Sequence, residues 1–190
     1  MKASETKRPS LRTADLTVIA IAAALIAICA WISVPAAVPF TLQTFGVFFV
    51  LSLLGASRGA LAILVYIFLG AIGIPVFSGF SGGMGVLLGN TGGYIVGFLL
   101  TALAYGGIVA LLGKRLWTEI LGLLLGLLLC YALGTAWFMA VYTRAKGAVS
   151  LGTVLSWCVF PFILPDLGKL ALALFLSKRV SPALKGIHRS

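Results

Sequence analysis

Three long segments of this chain contain no charged residue: 16–57, 59–113 and 120–143. Each is longer than the roughly 20 apolar residues that a helix needs to cross the hydrocarbon core of a bilayer. A membrane-spanning β-barrel would instead show segments of about 10 residues in which apolar and polar side chains alternate, and no such alternation occurs here. Because only 9% of the residues are charged, an ordinary soluble domain is excluded. The pattern predicts an all-α membrane protein.

Charged and turn-forming residues divide the apolar sequence into a predicted bundle of six transmembrane helices, which makes residues 1–190 a single integral membrane domain. Cations favour the cytoplasmic side of membrane proteins. With the amino terminus inside, eleven Lys and Arg residues fall on the cytoplasmic side and only Arg144 and Lys146 fall outside. We therefore expect both termini, with their short basic tails at 1–13 and 178–190, to be cytoplasmic. The predicted spans are 15–33, 42–55, 59–76, 93–112, 117–143 and 152–177.

The net charge of +10 does not indicate a nucleic-acid partner, because the cations separate apolar segments instead of gathering on one exposed face. The basic start and the apolar run after it resemble a signal peptide. However, the run from Leu16 to Val34 exceeds the roughly 7 to 15 residues of such a region, so we expect it to remain as the first span. Cys29, Cys130 and Cys158 lie in apolar segments without the spacing of metal ligands, and we assign them no metal site, disulfide or function.

Asp166 and Lys169 are the two charged residues inside the last apolar segment. A spacing of three residues puts their side chains on one face of a helix. Ionisable groups at membrane depth usually face a protein interior or a wet cavity and mark a binding site or pathway. The alternative is a satisfied ion pair that only locks the last helix to the bundle. Pro161 and Pro165 each lack an amide donor, which suggests a break with a new helix beginning at Pro165 and its positive end aimed into the site.

Two segments on the predicted outer side differ from short polar connections. The first, 34–44, contains two prolines and brings Thr41, Gln43 and Thr44 to the start of the second span. The second, 77–94, has seven glycines in eighteen residues and can present backbone amides to a ligand. Irregular backbone near membrane depth is tolerated where protein buries it or a water-filled cavity adjoins it. Both segments are therefore candidate walls of a binding site.

Four motifs in order resemble the BioY family, the biotin-specific substrate-binding S components of energy-coupling factor (ECF) vitamin transporters. They are VPFTLQT at 38–44, GAIGIPVFSGFSGGMG at 70–85, LGNTGGY at 88–94 and FILPDLGK at 162–169. The chain departs from the family pattern at Asn90, where proline is common. The resemblance implies a compact six-helix bundle that binds biotin near the outer face. It also implies a first helix whose alanines dock onto a transmembrane coupling subunit, and the small residues at four-residue spacing make Ala23 and Ala27 the candidates.

Biotin presents a ureido group with two N–H donors and one carbonyl acceptor, and a carboxylate on a flexible tail. An ionised Asp166 can accept from the donors, and Lys169 can donate to an oxygen of either the ureido group or the carboxylate. The expected polar shell and lid comprise Asp166, Lys169, Gln43, Thr41, Ser81, Gly82, Gly83, Asn90 and Tyr94.

The chain has no GxxxxGK[ST] phosphate-binding loop, so it cannot hydrolyse ATP by that route. The resemblance supplies the missing machinery as a coupling subunit with two ATPases, in the cell (inner) membrane of a bacterium or archaeon. We expect no cofactor and no catalysis. The alternatives are an S component for another small vitamin, an intramembrane enzyme that uses Asp166 and Lys169, or a channel or structural subunit in which the pair is a gate or a lock.

Overall fold

The computed structural model describes residues 13–187, with side chains as far as residue 182. The tails predicted at 1–13 and 178–190 therefore lie partly outside the described residues. Apart from its loops, the described chain is helical except for a short antiparallel ladder between β1 and β2, in which Ser33 pairs with Thr41, and an isolated bridge between Phe77 and Ser81. The elements in chain order are α1 Thr13–Trp31, β1 Ser33–Val34, β2 Phe40–Thr41, α2 Gln43–Ala71, a 3-10 turn Ser78–Phe80, α3 Met84–Leu87, α4 Gly92–Leu112, α5 Leu116–Lys146, α6 Leu151–Cys158 and α7 Phe160–Ile187.

Five helical segments of the described chain are long and apolar enough to cross a membrane, with α6 and most of α7 counted together. One of them, α2, is interrupted at Gly55, whose φ of 81° and ψ of 174° are not helical. Gln43 Nε2 nevertheless donates to Tyr66 Oη at 2.8 Å. A straight helix would separate these residues by about 35 Å, at 1.5 Å per residue. The arms 43–54 and 56–71 therefore fold back on each other, as the predicted boundary between the second and third spans required.

The helix that carries Asp166 and Lys169 does not begin where the prolines suggested. The break lies at Val159, which ends α6 with φ −127° and ψ −59°, and α7 starts at Phe160. Pro161 occupies the first turn of α7, where an amide donor is not needed. Pro165 lies inside the helix and removes one of its internal hydrogen bonds. The predicted helix start at Pro165 is therefore wrong, and Asp166 lies in the second turn of α7.

The helices pack around one apolar core, in which α2 contacts α1, α4 and α7, and α4 contacts α5. Glycines bring α4 and α5 close together. A Cβ atom at Gly126 would lie 2.7 Å from the Cα of Thr101, and one at Gly97 would lie 2.8 Å from Cys130 Sγ. Small residues allow such backbone approach in membrane proteins, where van der Waals packing drives helix association.

At one end of the bundle, two tryptophan side chains form hydrogen bonds with the connecting segments. Trp31 Nε1 donates to the Pro75 carbonyl at 2.9 Å, and Trp137 Nε1 donates to the Gly89 carbonyl at 2.9 Å. The third span was predicted to continue to residue 76, but α2 ends at Ala71. The chain then turns at Gly73, whose φ is +101°. This end of the bundle holds the cavity described below.

The opposite end contains a second buried carboxylate, Glu119, with 5% of its surface exposed. Tyr105 Oη donates to Glu119 Oε1 at 3.0 Å, and Lys114 Nζ lies 3.5 Å from the same oxygen. Ser52 donates to it at 3.4 Å and shares a 2.8 Å hydrogen bond with Ser177. These five residues, which we call the Glu119 cluster, link α2, α4, α5 and α7 at the end where Asp15 pairs with Arg58 at 2.7 Å.

Candidate ligand-binding site

The buried pair predicted in the last helix exists. Lys169 Nζ donates to Asp166 Oδ1 at 2.7 Å, with 1% of Asp166 and 8% of Lys169 exposed. Thr44 Oγ1 donates to the same Oδ1 at 2.8 Å, and Tyr131 Oη donates to Oδ2 at 2.6 Å. The carboxylate is thus held from three helices: α2, α5 and its own α7.

Both members of the pair retain hydrogen-bonding capacity. A carboxylate offers about four lone-pair sites, and the described chain fills two on Oδ1 and one on Oδ2 of Asp166. Lys169 has three N–H donors, of which one reaches Asp166 and one reaches the Thr41 carbonyl at 2.6 Å. One acceptor position on Asp166 Oδ2 and one donor on Lys169 Nζ therefore remain. The ammonium group also lies 4.2 Å from the centroid of the Phe40 ring, in a cation–π contact.

These residues lie on the wall of a cavity between the β1–β2 loop, α2, α4, α5, α6 and α7. Its polar lining is concentrated around Asp166 and Lys169, and most of the remaining wall is apolar or aromatic. Such a composition is typical of small-molecule sites, where a few polar groups fix the orientation of a largely apolar ligand. The lining residues are Val38, Pro39, Thr41, Gln43, Thr44, Phe77, Ser78, Val86, Thr91, Tyr94, Ile95, Phe98, Cys130, Tyr131, Cys158, Phe162, Asp166 and Lys169.

Tyr94 forms part of the wall opposite α7. Its hydroxyl lies 3.3 Å from Thr135 Oγ1, and its backbone carbonyl accepts a bond from Cys130 Sγ at 3.4 Å. Gly134 faces the Tyr94 ring so closely that any Cβ at that position would overlap it. A glycine in α5 therefore allows the aromatic side chain to reach the cavity.

Of the predicted site residues, Asp166, Lys169, Gln43, Thr41 and Tyr94 line this cavity. Four others from the glycine-rich segment are placed differently. Ser81 Oγ donates to the Ser78 carbonyl at 2.7 Å, the Gly83 amide donates to the Gly70 carbonyl at 2.6 Å, Gly82 packs against the backbone of Ile74, and Asn90 is exposed. In this structure Ser81, Gly82 and Gly83 contact their own segment and the end of α2, and none of the four residues lines the cavity.

The predicted polar shell lacked Thr44 and Tyr131, which donate to Asp166, and also Ser78 and Thr91, which line the cavity. It also lacked Tyr66, which accepts from Gln43. No sequence motif assigned Tyr131 to the site. The hydroxyl of a buried Tyr usually finds a hydrogen-bond partner. A tyrosine within the uncharged stretch 120–143 was therefore the signal that pointed to it.

The two alanines that were predicted to contact a partner helix are buried within this chain. Ala23 is 2% exposed and Ala27 is 4% exposed, and both pack in the core of the chain. In the described conformation neither alanine is accessible to a partner helix, and their assignment to a partner interface stays a prediction. Ala20 and Ala24, which have the same four-residue spacing, are exposed on another face of α1.

A bundle of apolar helices with a charged pair on the wall of a mostly apolar cavity defines a multi-pass membrane protein that binds a small molecule. Comparison with known proteins identifies the family: residues 2–186 match the model of the BioY family. The chain belongs to the BioY family.

Two relatives and one solved structure agree with this membership. The biotin transporter BioY of Thermotoga maritima is 41% identical over 158 residues, which cover 83% of this chain and 89% of that protein. The biotin transporter BioY of Rhodobacter capsulatus is 34% identical over 177 residues, which cover 88% and 93%. The crystal structure of the S component for biotin from an ECF-type ABC transporter aligns with a TM-score of 0.75 at 28% identity, over 88% of this chain and 90% of that one.

Proposed function

We propose that this protein binds biotin and takes it up as the substrate-binding S component of an ECF-type transporter, in the cell membrane of a bacterium or archaeon. The observation that carries the proposal is the Asp166–Lys169 pair on the wall of the cavity, in a chain that belongs to the BioY family. The relatives are named as transporters, which favours uptake over the enzymatic alternative. Within the described residues no group of His, Cys, Asp and Glu could hold a metal ion.

The geometry of the pair favours the ureido group over the carboxylate as its partner. A ureido N–H can donate to the remaining position on Asp166 while the adjacent ureido carbonyl accepts from the remaining N–H of Lys169. A ligand carboxylate at Lys169 would lie next to the carboxylate of Asp166, and like charges in proximity repel. The apolar wall then suits the fused rings and the aliphatic part of the tail.

The proposal is tested by purifying the protein in detergent and identifying the retained small molecule by mass spectrometry. Biotin, released on denaturation and rebound at one molecule per chain, is the expected result. Another vitamin would identify the alternative S-component specificity. Conversion of a bound lipid or substrate would support an enzyme, and ion conductance in planar bilayers would support a channel.

Cavity thiols provide a direct test of where biotin binds. Cys130 and Cys158 line the cavity, whereas Cys29 is equally free but lies outside it. In variants that each keep a single cysteine, biotin should slow the reaction of Cys130 and of Cys158 with a small methanethiosulfonate reagent about tenfold or more, because the ligand fills the space beside them. The rate at Cys29 should not change. Equal slowing of all three thiols would indicate general stabilisation instead of local occupancy.

We also propose six membrane crossings with both termini in the cytoplasm, on the basis of the cation positions and the fold of α2. The folded-back arms of α2 meet at a turn that carries Arg58, which adds a cation to the end of the bundle where Lys114 and Arg115 lie. Cations at one end indicate the cytoplasmic side. The arm 43–54 is short, at about 18 Å. The β1–β2 segment before it, in which Val38 is buried and Pro39 and Phe40 are half-buried, would complete the passage.

Energised uptake requires partners, which we propose are a transmembrane coupling subunit and two ATPase subunits. Among the alanines of α1, the exposed pair Ala20 and Ala24 fits such a contact better than the buried pair. Exposed small residues let a partner helix approach closely.

Ala24→Leu should reduce copurification with the coupling subunit about tenfold, because a branched side chain holds the two helices apart, and should leave biotin affinity of the isolated protein unchanged. Ala132→Leu on the exposed face of α5 is the matched control and should leave both unchanged. If both variants copurify as the unmodified protein does, the α1 assignment is wrong.

A further inference from the structure

An apolar groove runs along the outside of the bundle between the start of α5 and the second half of α7, away from the ligand cavity. Its lining is Leu116, Ile120, Leu170, Ala171, Leu174, Phe175 and Lys178. From Leu170 to Lys178 it extends about 12 Å along α7, at 1.5 Å per residue. Leu170 and Leu174 form a buried floor, and Leu116 and Phe175 are half exposed at the rims.

The groove exists because α5 and α7 do not pack closely against each other. The close helical neighbours of α5 are α4 and α6, and those of α7 are α2 and α6. Behind the groove, the Glu119 cluster connects the two helices through Ser52. An apolar surface of this length inside a bilayer must be covered by either an acyl chain or another helix.

Cations lie at one end of the groove. Lys178 belongs to the lining, Arg115 immediately precedes Leu116, and Arg179 stacks over the ring of Phe175 with 5.4 Å between the guanidinium carbon and the ring centroid. The carboxylates of the described chain pair with other residues, namely Arg58, Lys114 and Lys169. Within the described residues, the charges of Arg115, Lys178 and Arg179 are therefore not neutralised by an ion pair. Trp117, half exposed beside them, is typical of a membrane interface.

We infer that this groove binds an anionic phospholipid, with an acyl chain against Leu170, Leu174 and Phe175 and the phosphate between Arg115 and Lys178. Basic pockets between transmembrane helices on the cytoplasmic side bind anionic headgroups, and each cation near the surface contributes about 1 kcal/mol, or roughly a fivefold preference. A partner helix fits less well, because helix interfaces in membranes are rich in small residues and Ala171 is the one small residue of this lining. The inference does not depend on which vitamin the cavity holds.

Native mass spectrometry of the detergent-purified full-length protein can test the inference with dioleoylphosphatidylglycerol and dioleoylphosphatidylcholine, which have the same chains and differ in net charge. We expect the anionic lipid to be retained about tenfold more than the zwitterionic lipid.

The double variant Arg115→Gln/Lys178→Gln should lose this preference. Arg144→Gln/Lys146→Gln removes two exposed cations from the other end of α5 and should keep it. Ala171→Trp, which fills the groove, should lower retention of both lipids.

Biotin binding by each variant serves as the check on folding. Equal retention of the two lipids by the unmodified protein would overturn the inference, and so would equal losses in the two charge variants. If Ala171→Trp left lipid retention unchanged but prevented copurification with a membrane protein partner, the groove would be a protein-docking surface and the lipid assignment would be rejected.

Discussion

Replacing Asp166 with Asn should lower biotin affinity at least tenfold in protein that still reaches the membrane. The carboxylate accepts bonds from Thr44, Tyr131 and Lys169, and a carboxamide at this position would aim its own donor group at one of these donors. Removing one partner of a buried ion pair costs roughly 3–5 kcal/mol, because the other charge is left uncompensated. We expect part of this cost in stability and part in binding, which equilibrium dialysis with labelled biotin and thermal melting would separate.

Glu119→Gln is the matched control for this variant. Glu119 is also a buried carboxylate with serine, tyrosine and lysine neighbours, but it lies at the opposite end of the bundle. Its replacement should lower the melting temperature and leave the biotin dissociation constant within about twofold. Comparable losses of affinity in both variants would mean that the binding defect follows from general destabilisation, and the role of Asp166 in recognition would be lost.

Replacing Lys169 with Gln should also weaken biotin binding at least tenfold, since Asp166 then lacks its cation and the ligand loses a charged donor. If Lys169 meets the ureido oxygen, biotin and its neutral-tailed amide should lose affinity by the same factor. Isothermal titration with the two ligands measures this ratio. Lys114→Gln, at a half-exposed lysine beside Glu119, is the control and should leave both affinities unchanged.

A loss confined to biotin, with the amide unaffected, would place the ligand carboxylate at Lys169 and contradict the ureido assignment. Unchanged affinity for both ligands in a well-folded variant would remove Lys169 from the site altogether. The two ligands therefore distinguish a wrong orientation from a wrong residue.

The helical architecture and the charged centre of the site could be predicted because both follow from the cost of placing charge in a bilayer. Uncharged segments identified the helices, and Arg58 marked the turn that the structure centres on Gly55. Asp166 and Lys169 stood out for the same reason. The position of the break near α7 was not predictable from the prolines alone, since Pro161 is compatible with the first turn of a helix and did not reveal that Val159 is the interruption.

The remainder of the site depends on tertiary contacts that local sequence does not encode. Thr44 and Tyr131 come from different helices and meet at Asp166 because α2 and α5 both pass that side chain. Alanines recur on more than one face of α1 at the same spacing. Which pair is buried depends on where α2 packs, and the structure buries Ala23 and leaves Ala24 exposed.

The bond from Lys169 to the backbone carbonyl of Thr41 has a kinetic consequence. Thr41 ends the β1–β2 loop and lines the cavity, so the ammonium group that we propose contacts the ligand also holds this loop against α7. A ligand that draws the Lys169 ammonium group toward itself would weaken the bond to Thr41. We therefore expect ligand binding to be coupled to movement of the β1–β2 loop.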